Sequence, residues 1–258
     1  MNILDTIVAR KKEEIAERKA LRTVADLEKE PFFERTTLSL SQSLVNPERT
    51  GIIAEFKRKS PSKGIINGQA SVEDVTATYA RLGASGLSVL TDTDFFGGSN
   101  ADLLLARQQQ VPILRKDFMV DEYQVVEAKA IGADVILLIA ACLTPERVQS
   151  LAAFAKSLKL EVLLEIHDES ELVHICNEVD MVGVNNRNLK TFEVDINTSL
   201  RLIGKMPAHK PAVAESGISD PETIKTLKQA GFKGFLIGEN FMKQPDPSIA
   251  FADFVKHL

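Results

Sequence analysis

The feature that most constrains the fold of this chain is a series of eight short apolar runs within residues 51–258. The runs begin at Gly51, Gly86, Pro112, Asp134, Leu160, Met181, Pro211 and Gly234. They are continuously apolar rather than alternating, which is typical of parallel strands that are covered on both faces. Longer segments with helix signals separate them, so the chain is predicted to repeat a strand–helix unit of about 26 residues.

The predicted helices carry recognisable signals at their ends. Ser71 precedes an acidic first turn, and Thr144 and Asp220 each precede a proline at the first helical position. Gly132 and Gly231 stand where helices are expected to end. Eight such units fit an α/β fold of the (β/α)8 type, the TIM barrel, which needs roughly 200–250 residues. A doubly wound open sheet is the alternative, but the first turn, KRKSPSKG, lacks its G-x-G-x-x-G motif.

Residues 1–48 precede the first predicted strand. They contain an amphipathic helix at the start, a second helix around Val24 to Phe33, and a polar connector. We expect this segment to cover one end of the barrel. No linker or low-complexity segment separates it from the rest, so we predict a single domain over 1–258, with a helical extension at 1–48 and the barrel at 49–258.

The composition argues against several classes of protein. Hydrophobic residues at 44% and charged residues at 26% are typical of globular chains, and a net charge of -5 argues against a nucleic-acid binder. No run approaches the roughly 18 apolar residues of a membrane span, and the start does not resemble a signal peptide. Cys142, Cys176 and the four histidines are scattered, so we expect no zinc site built from His and Cys and a reducing, cytoplasmic location.

Polar residues end several of the apolar runs, and in a parallel barrel function lies at these C-terminal strand ends. Glu55 and Lys57 follow the first run and, being two residues apart on one strand, face the same side. Four further residues end other runs: Lys116, Glu165, Asn185 and Glu215. Any one of these alone is as readily explained as a solvated residue at the rim.

Glu165 is harder to explain as a rim residue, because leucines and an isoleucine flank it in LLEI. A buried carboxylate needs a partner or a raised pKa. Lys116 is the natural partner, and burial is expected to depress the pKa of this lysine until it can exchange a proton near neutrality.

Two further loops favour a phosphate site. The loops after the seventh and eighth strands carry Ser216-Gly217 and Gly238-Glu239. In barrels these two loops frequently bind phosphate through backbone N–H groups, although turns also need glycine for their own geometry.

With these motifs in place, the chain resembles the indole-3-glycerol-phosphate synthase family along essentially its whole length. The similar segments, in order and with fitting spacing, are IIAEFKRKSPSKG at 52–64, LTDTDFFGGS at 90–99, LRKDFMVDEYQ at 114–124, LLEIHDESEL at 163–172, VGVNNRNLKTFEVD at 182–195, AESGI at 214–218 and FLIGENFM at 235–242. The N-terminal helices are also similar to this family's. The resemblance is to the monofunctional form rather than to the fusion with phosphoribosylanthranilate isomerase.

The resemblance implies a carboxy-lyase of tryptophan biosynthesis. The reaction would close a ring in 1-(o-carboxyphenylamino)-1-deoxyribulose 5-phosphate, with loss of CO2 and water, to give indole-3-glycerol phosphate. It implies no metal or cofactor and a small phosphorylated substrate as the partner, without nucleic acid or membrane. We expect a monomer, and a weak homodimer or a complex with other enzymes of the pathway stays open.

The resemblance also implies roles for residues that match the motifs. Lys116 would be the general acid on the substrate carbonyl oxygen, and Glu165 would exchange the proton at dehydration. Glu55 would orient Lys116, while Lys57 would pair with an anionic group. Asn185 would hold the substrate carboxylate and hydroxyls, and the serine of AESGI would steady the same region.

That serine, Ser216, completes the expected catalytic set. The expected substrate- and phosphate-binding residues are Ser60, Arg187, Gly217, Gly238, Glu239, Phe95, Phe118, Leu189 and Ile237. Phe95 lies in a glycine-rich loop that suits a mobile hydrophobic lid. Glu239 stands where many members carry a small residue, so we expect its backbone N–H to meet the phosphate while its side chain faces solvent.

Two alternatives remain open at this point. One is another phosphate-binding barrel enzyme, such as phosphoribosylanthranilate isomerase or a Schiff-base aldolase with Lys116 as nucleophile. The other is a barrel that binds phosphorylated ligands without catalysis. Anion binding alone does not call for carboxylates beside a lysine, so catalysis is favoured.

Overall fold

A closed barrel of eight parallel strands forms the centre of the computed structural model, which describes residues 3–189 and 191–258. The strands are β1 Ile52–Phe56, β2 Gly86–Leu90, β3 Ile113–Lys116, β4 Val135–Ile139, β5 Glu161–Ile166, β6 Met181–Asn185, β7 Ala212–Glu215 and β8 Gly234–Ile237. Each pairs in parallel with its neighbours in chain order, and β8 closes the ring on β1. The eight predicted strands and the fold class are confirmed.

Helices surround this barrel and precede it. They are α1 Ile3–Leu21, α2 Val24–Leu27, α3 Leu40–Val45, α4 Val72–Arg81, α5 Asn100–Ala106, α6 Glu122–Ala130, α7 Pro145–Ser157, α8 Asn197–Leu202, α9 Pro221–Ala230, α10 Glu239–Met242 and α11 Pro247–Val255. Short 3-10 helices occupy Ala140–Cys142, Glu169–His174 and Ile203–Lys205, and a hairpin of Lys59–Ser60 and Gly64–Ile65 follows β1. The predicted caps Ser71, Thr144 and Asp220 each accept a backbone N–H in the first turn of their helix.

Two elements differ from the prediction. Between β5 and β6 the chain forms the 3-10 helix Glu169–His174 instead of an α-helix. Asp168 caps its start, but Ile175 is already extended and packs against the core, so the helix ends within six residues. The second helix of the extension, α2, is also shorter than the predicted Val24 to Phe33.

Helix α3 closes the lower end of the barrel, where the strands begin. Its Leu40 and Leu44 pack into the interior cluster that contains Ile53. Glu161, the first residue of β5, fixes the helix start by accepting the N–H groups of Leu40 at 2.8 Å and Ser41 at 3.0 Å. The extension therefore covers a barrel end as expected, but with a helix in the stretch interpreted as a polar connector.

Helix α1 is attached to the opposite, upper end by a buried lysine. Lys11 Nζ lies 2.7 Å from Glu14 in the same helix and 2.9 Å from both Asp92 and Asp117, which follow β2 and β3. The Lys11 side chain is 2% exposed. Three carboxylates around one ammonium thus hold the helix against the upper loops.

The side chains inside the barrel change character from the lower to the upper end. Those of the lower layers are apolar: Ile53, Leu114, Val135, Leu137, Leu163, Met181, Val213 and Leu236. Because strand faces alternate, the next inward positions lie two residues further along each strand. These positions carry Glu55, Lys116, Glu165 and Glu215; on β6 the corresponding position is Gly183, and Asn185 lies two residues beyond it. The strand period therefore brings the predicted polar residues together at the upper end.

Candidate active site

The upper end of the barrel opens into a cavity of about 550 Å³, a size that suits a small molecule. Every predicted site residue lines it except Phe95; its neighbour Phe96 lines it instead and packs against Phe118, with ring centroids 6.0 Å apart. Three apolar side chains of α1 complete the wall: Ile3, Leu4 and Ile7. The extension therefore contributes directly to the cavity.

Lys116 occupies the centre of the polar cluster. Its Nζ donates to Glu215 Oε2 at 2.7 Å and to Glu165 Oε2 at 3.2 Å. The predicted depression of its pKa is wrong. Burial does act to lower the pKa of Lys116, but the surrounding carboxylates, with Glu215 and Glu165 foremost, raise it above its ordinary value. Lys116 is therefore a charged donor at neutral pH.

The two carboxylates on Lys116 differ in their affinity for a proton. Burial acts to raise the pKa of Glu165, yet Lys116 and His167 together hold it below its ordinary range. Asn185 contributes by donating its Nδ2–H to Glu165 Oε1 at 3.0 Å. Burial raises the pKa of Glu215 to about 7, with Glu165 adding to the rise and Lys116 opposing it. Carboxylates with separated pKa values suit one group for base chemistry and the other for holding a proton.

Gly183 of β6 provides the space that Glu215 occupies. It pairs in register with Glu165 on one side and with Val213 on the other. A Cβ atom on Gly183 would collide with Oε1 of Glu215. The sequence indicated Glu215 as a strand-end residue without giving it a role, and Gly183 was missed. Its signal was a glycine at an inward position beside two strands that carry a glutamate at their last or next-to-last residue.

Glu55 and Lys57 form a second ion pair at the rim. Lys57 Nζ lies 2.8 Å from Glu55 Oε1, and Ser88 Oγ donates to Glu55 Oε2 at 3.2 Å. Burial acts to raise the pKa of Glu55, but Lys57 and then Lys116 hold it below its ordinary value. Glu55 was expected to orient Lys116; its direct ion pair is with Lys57, and the charge of Lys116 acts on it as well.

Arg187 connects the loops after β6 and β8. It donates to Glu239 Oε2 at 3.2 Å through its guanidinium and to Asn185 Oδ1 at 3.0 Å through its backbone N–H. The Glu239 side chain was expected to face solvent; it is 33% exposed and is paired with Arg187. Glu239 is among the residues that line the cavity, and Arg187 compensates the charge of its carboxylate.

The two glycine-containing loops approach the cavity closely. Ser216 and Gly217 have φ values of +65° and +78°, in the left-handed region, and Asn186 Nδ2 donates to the Ser216 carbonyl oxygen at 3.1 Å. Such a conformation costs a non-glycine residue about 1 kcal/mol, so Ser216 is held in place by its surroundings. A Cβ atom on Gly238 would lie 2.5 Å from Glu55 Oε1, so this loop can approach the cluster only with glycine there.

The described residues contain no group of three or more His, Cys, Asp or Glu side chains that could hold a metal ion. Over the same residues, no helix has both the length and the apolar character that crossing a membrane requires.

A closed (β/α)8 barrel with a lysine between two carboxylates of different pKa at its upper end defines the class of protein: a barrel enzyme with an acid–base site for a small molecule. A sequence model of one family, described as "Indole-3-glycerol phosphate synthase", matches residues 4–254. The chain belongs to the indole-3-glycerol phosphate synthase family, whose members are carboxy-lyases.

Curated relatives support the same assignment. An indole-3-glycerol phosphate synthase from Bacteroides thetaiotaomicron is 49% identical over 258 residues, covering 100% of this chain and 99% of the relative. Proteins of the same name from Polaromonas sp. and Acinetobacter baylyi are 46% and 44% identical, covering 97% of this chain in both cases and 97% and 94% of the relatives.

Solved structures of other proteins share the fold. Tryptophan synthase subunit alpha from Legionella pneumophila matches with a TM-score of 0.60 at 13% identity, covering 84% of this chain and 95% of that one. Thiamine phosphate pyrophosphorylase from Pyrococcus furiosus matches with a TM-score of 0.58 at 15% identity, covering 80% and 93%. At such low identity these matches concern the fold alone.

Proposed function

We propose that this chain closes the indole ring of 1-(o-carboxyphenylamino)-1-deoxyribulose 5-phosphate, releasing CO2 and water to form indole-3-glycerol phosphate. Membership of a family named for this product supports the reaction. The single observation that carries the mechanism is Lys116, held between Glu165 and Glu215 at the base of the cavity.

The first step needs a cation at the substrate ketone. Lys116 donates a proton to the carbonyl oxygen, while the aromatic carbon that bears the carboxylate attacks the carbonyl carbon. The bond to the carboxylate then breaks, CO2 leaves, and its bonding electrons restore the aromatic ring. The former carbonyl oxygen is now a hydroxyl group. Because the carboxylates keep Lys116 charged, the donor is in the required form before substrate binds.

Dehydration needs one proton delivered to that hydroxyl group and one removed from the adjacent carbon of the new ring. Glu165, which is ionised at neutral pH, exchanges the proton at this step. Before this step Glu215, with a pKa of about 7 and 2.7 Å from Lys116, returns a proton to the lysine. Lys116 then donates to the departing hydroxyl, which leaves as water. The proton that Glu165 takes from the ring carbon passes back to Lys116, and one proton from solvent restores Glu215.

Substrate binding is assigned to the cavity walls. The phosphate lies against the loops of Gly217 and Gly238, where Lys57 and Arg187 supply positive charge. The substrate carboxylate and hydroxyls are held by Asn185, with Ser216 beside it. The anthranilate ring lies in an apolar slot whose walls are Phe96, Phe118, Leu189 and Ile237, and Ser60 closes the rim from the loop after β1.

We also propose the setting in which the enzyme works. The chain acts as one domain in the cytoplasm, as a monomer, with a small phosphorylated molecule rather than a nucleic acid or membrane as its partner. A weak homodimer or a complex with other pathway enzymes is the alternative. Size-exclusion chromatography with light scattering at two protein concentrations separates these cases.

The experiment that tests the function follows product formation by indole fluorescence. The chain contains no Trp, so no protein indole emission lies beneath the signal. We expect the wild type to generate the signal and Lys116→Ala to lose it by at least about a hundredfold. A wild type that leaves this substrate unchanged contradicts the proposal.

A Schiff-base aldolase is the alternative that the same lysine can test. It needs a neutral amine as nucleophile, whereas the carboxylates around Lys116 keep that amine protonated. We therefore expect borohydride, added with a sugar phosphate, to leave Lys116 unmodified. A covalent adduct on Lys116, detected by mass spectrometry, would support the aldolase.

A further inference from the structure

His167 stands directly behind Glu165, between two carboxylates. Its ring Nε2 lies 3.2 Å from Glu165 Oε1, and its Nδ1 lies 3.3 Å from Glu171 Oε2. The same Oε2 atom accepts the backbone N–H of His167 at 2.6 Å. The His167 and Glu171 side chains are 11% and 14% exposed. Glu171 therefore holds both the backbone and the ring of the histidine.

The element that supplies Glu171 is the 3-10 helix that replaces the fifth barrel helix. Asp168 caps that helix through the N–H of Ser170 at 2.8 Å, which directs the chain back so that Glu171 faces His167. The 3-10 helix that stands in place of a barrel helix thus places the carboxylate of Glu171 beside His167, the histidine that contacts Glu165.

The two oxygens of Glu165 face different groups. Oε2 accepts from Lys116, whereas Oε1 accepts from Asn185 and faces the His167 ring. Charges then alternate through Lys116, Glu165, His167 and Glu171. Neither His167 nor Glu171 is among the residues that line the cavity, so both act on Glu165 from behind and not on the substrate.

We propose that His167, clamped by Glu171, is the positioning residue for Glu165: it fixes the orientation of that carboxylate and places a positive charge behind it. The inference rests on the proposed function, in which Glu165 exchanges the proton at dehydration. A carboxylate so held presents Oε2 to the cavity in every turnover and returns readily to its ionised form.

The charges around the ring are consistent with this role. Burial acts to lower the pKa of His167, but its contacts with Glu165 and Glu171 raise it to about 10. Cys142, the nearby titratable group on the 3-10 helix before α7, is neutral, since burial raises the pKa of its thiol to about 12. The ring therefore carries its positive charge throughout the neutral range.

Nuclear magnetic resonance of histidine-labelled protein tests the contact without any substrate. The chain has four histidines, so His167→Gln identifies the resonances of this ring by their loss. We expect His167 to remain protonated beyond pH 8, and Glu171→Gln to lower its titration midpoint by about one pH unit. Titration near the ordinary value of about 6.5 in the wild type would overturn the proposal.

Kinetics test whether the contact positions Glu165. We expect His167→Ala to lower kcat about tenfold with KM unchanged, because the residue contacts the base and not the substrate. Loss of the positive charge raises the pKa of Glu165, so the acidic limb of the kcat profile moves to higher pH. His167→Gln keeps a donor in reach of Glu165 and should recover part of the loss.

The matched control is Glu169→Gln. Glu169 lies on the same 3-10 helix, but its side chain is 66% exposed and pairs with Lys205 instead of His167. Glu171→Gln should lower kcat about threefold and move the acidic limb, while Glu169→Gln should match the wild type in both. The inference would be refuted if Glu171→Gln and His167→Gln both had the pH profile of the wild type and kcat values within about twofold of it. If the wild type itself fails to turn over substrate, the proposed function fails, and the resonance experiment still decides the contact.

Discussion

At the scale of single residues, the site depends on unequal protonation of two chemically identical side chains. Glu165 and Glu215 both contact Lys116 through one oxygen. Asn185 and His167 stabilise the charge on Glu165, whereas Oε1 of Glu215 is buried without a hydrogen-bond partner among the described residues. The difference in pKa follows from these contacts.

The first prediction concerns Glu215→Gln. Because the pKa of Glu215 is raised to about 7, the wild-type kcat/KM should change with an apparent pKa near 7 that the variant lacks. Activity measured between about pH 5 and pH 9 checks this. Persistence of the inflection in the variant would assign it to another group.

The same shift has a consequence for stability. A carboxyl group whose folded-state pKa lies above its unfolded value binds more protons in the folded state. The Glu215 contribution therefore favours the folded state below about pH 4.5 and falls away as the pH rises through about 7. Between about pH 4.5 and pH 7, the Tm of Glu215→Gln should therefore fall less than the Tm of the wild type. Thermal unfolding followed by circular dichroism measures this.

The ionisation of these residues could not be predicted from the sequence, although their positions could. Strand-end positions follow from the period of two along each strand, which correctly indicated Glu55, Lys116 and Glu165 as inward-facing. The pKa of Lys116 depends instead on how many carboxylates the closed ring brings around it. That number is set by contacts between residues up to 99 positions apart, such as Lys116 and Glu215.

At the scale of elements, the N-terminal extension is part of the active-site wall. Helix α1 lines the cavity and is attached through Lys11 to two upper loops. Asp92 also accepts the N–H groups of Phe95 and Phe96, and Asp117 accepts that of Phe118. One buried ammonium therefore connects the helix to the two loops that carry Phe96 and Phe118.

The second prediction concerns Lys11→Met. The change leaves Asp92 and Asp117 buried without their shared cation, which should lower the free energy of unfolding by about 3 kcal/mol. Chemical denaturation followed by circular dichroism measures this. Lys12→Met is the matched control, since Lys12 is the exposed neighbour on the same helix and should change stability by less than about 0.5 kcal/mol. Similar losses in both variants would contradict the assigned role of Lys11.

Elements were predictable where their signals are local. The caps at Ser71, Thr144 and Asp220 lie next to the turns that they stabilise, and all three were predicted correctly. Helix α3 was missed although Ser39 caps it locally, because the helix has only six residues and much of the stabilisation of its start comes from Glu161, more than a hundred residues away. An α-helix between the fifth and sixth strands was expected from the strand–helix repeat alone, and no local signal at that place distinguished it from the 3-10 helix that forms.

At the scale of the whole molecule, the barrel depends on contact between its first and last helices. Tyr79 of α4 packs against Phe251 of α11, with ring centroids 4.8 Å apart, and Phe241 of α10 packs against both. Helix α4 follows β1 and helix α11 follows β8, the two strands that close the ring. This aromatic cluster therefore stabilises the closure from outside.

The third prediction concerns Phe251→Ala. The side chain is fully buried, so its removal should lower the free energy of unfolding by about 3–5 kcal/mol. Ile249→Ala on the same helix is the control, because Ile249 is 60% exposed and should have little effect. A loss below about 1 kcal/mol for Phe251→Ala would mean that the ring closes independently of the cluster.

Leu40 and Leu44, together with the apolar side-chain layers above them, close the lower end of the barrel. Because the lower end is closed, the cavity opens only at the upper end of the barrel, between α1 and the upper loops. CO2, water and the indole product must all depart along the route by which the substrate arrives. A second substrate molecule bound at the cavity opening would therefore block release of the product. We expect the turnover rate to decline at high substrate concentration instead of reaching a plateau.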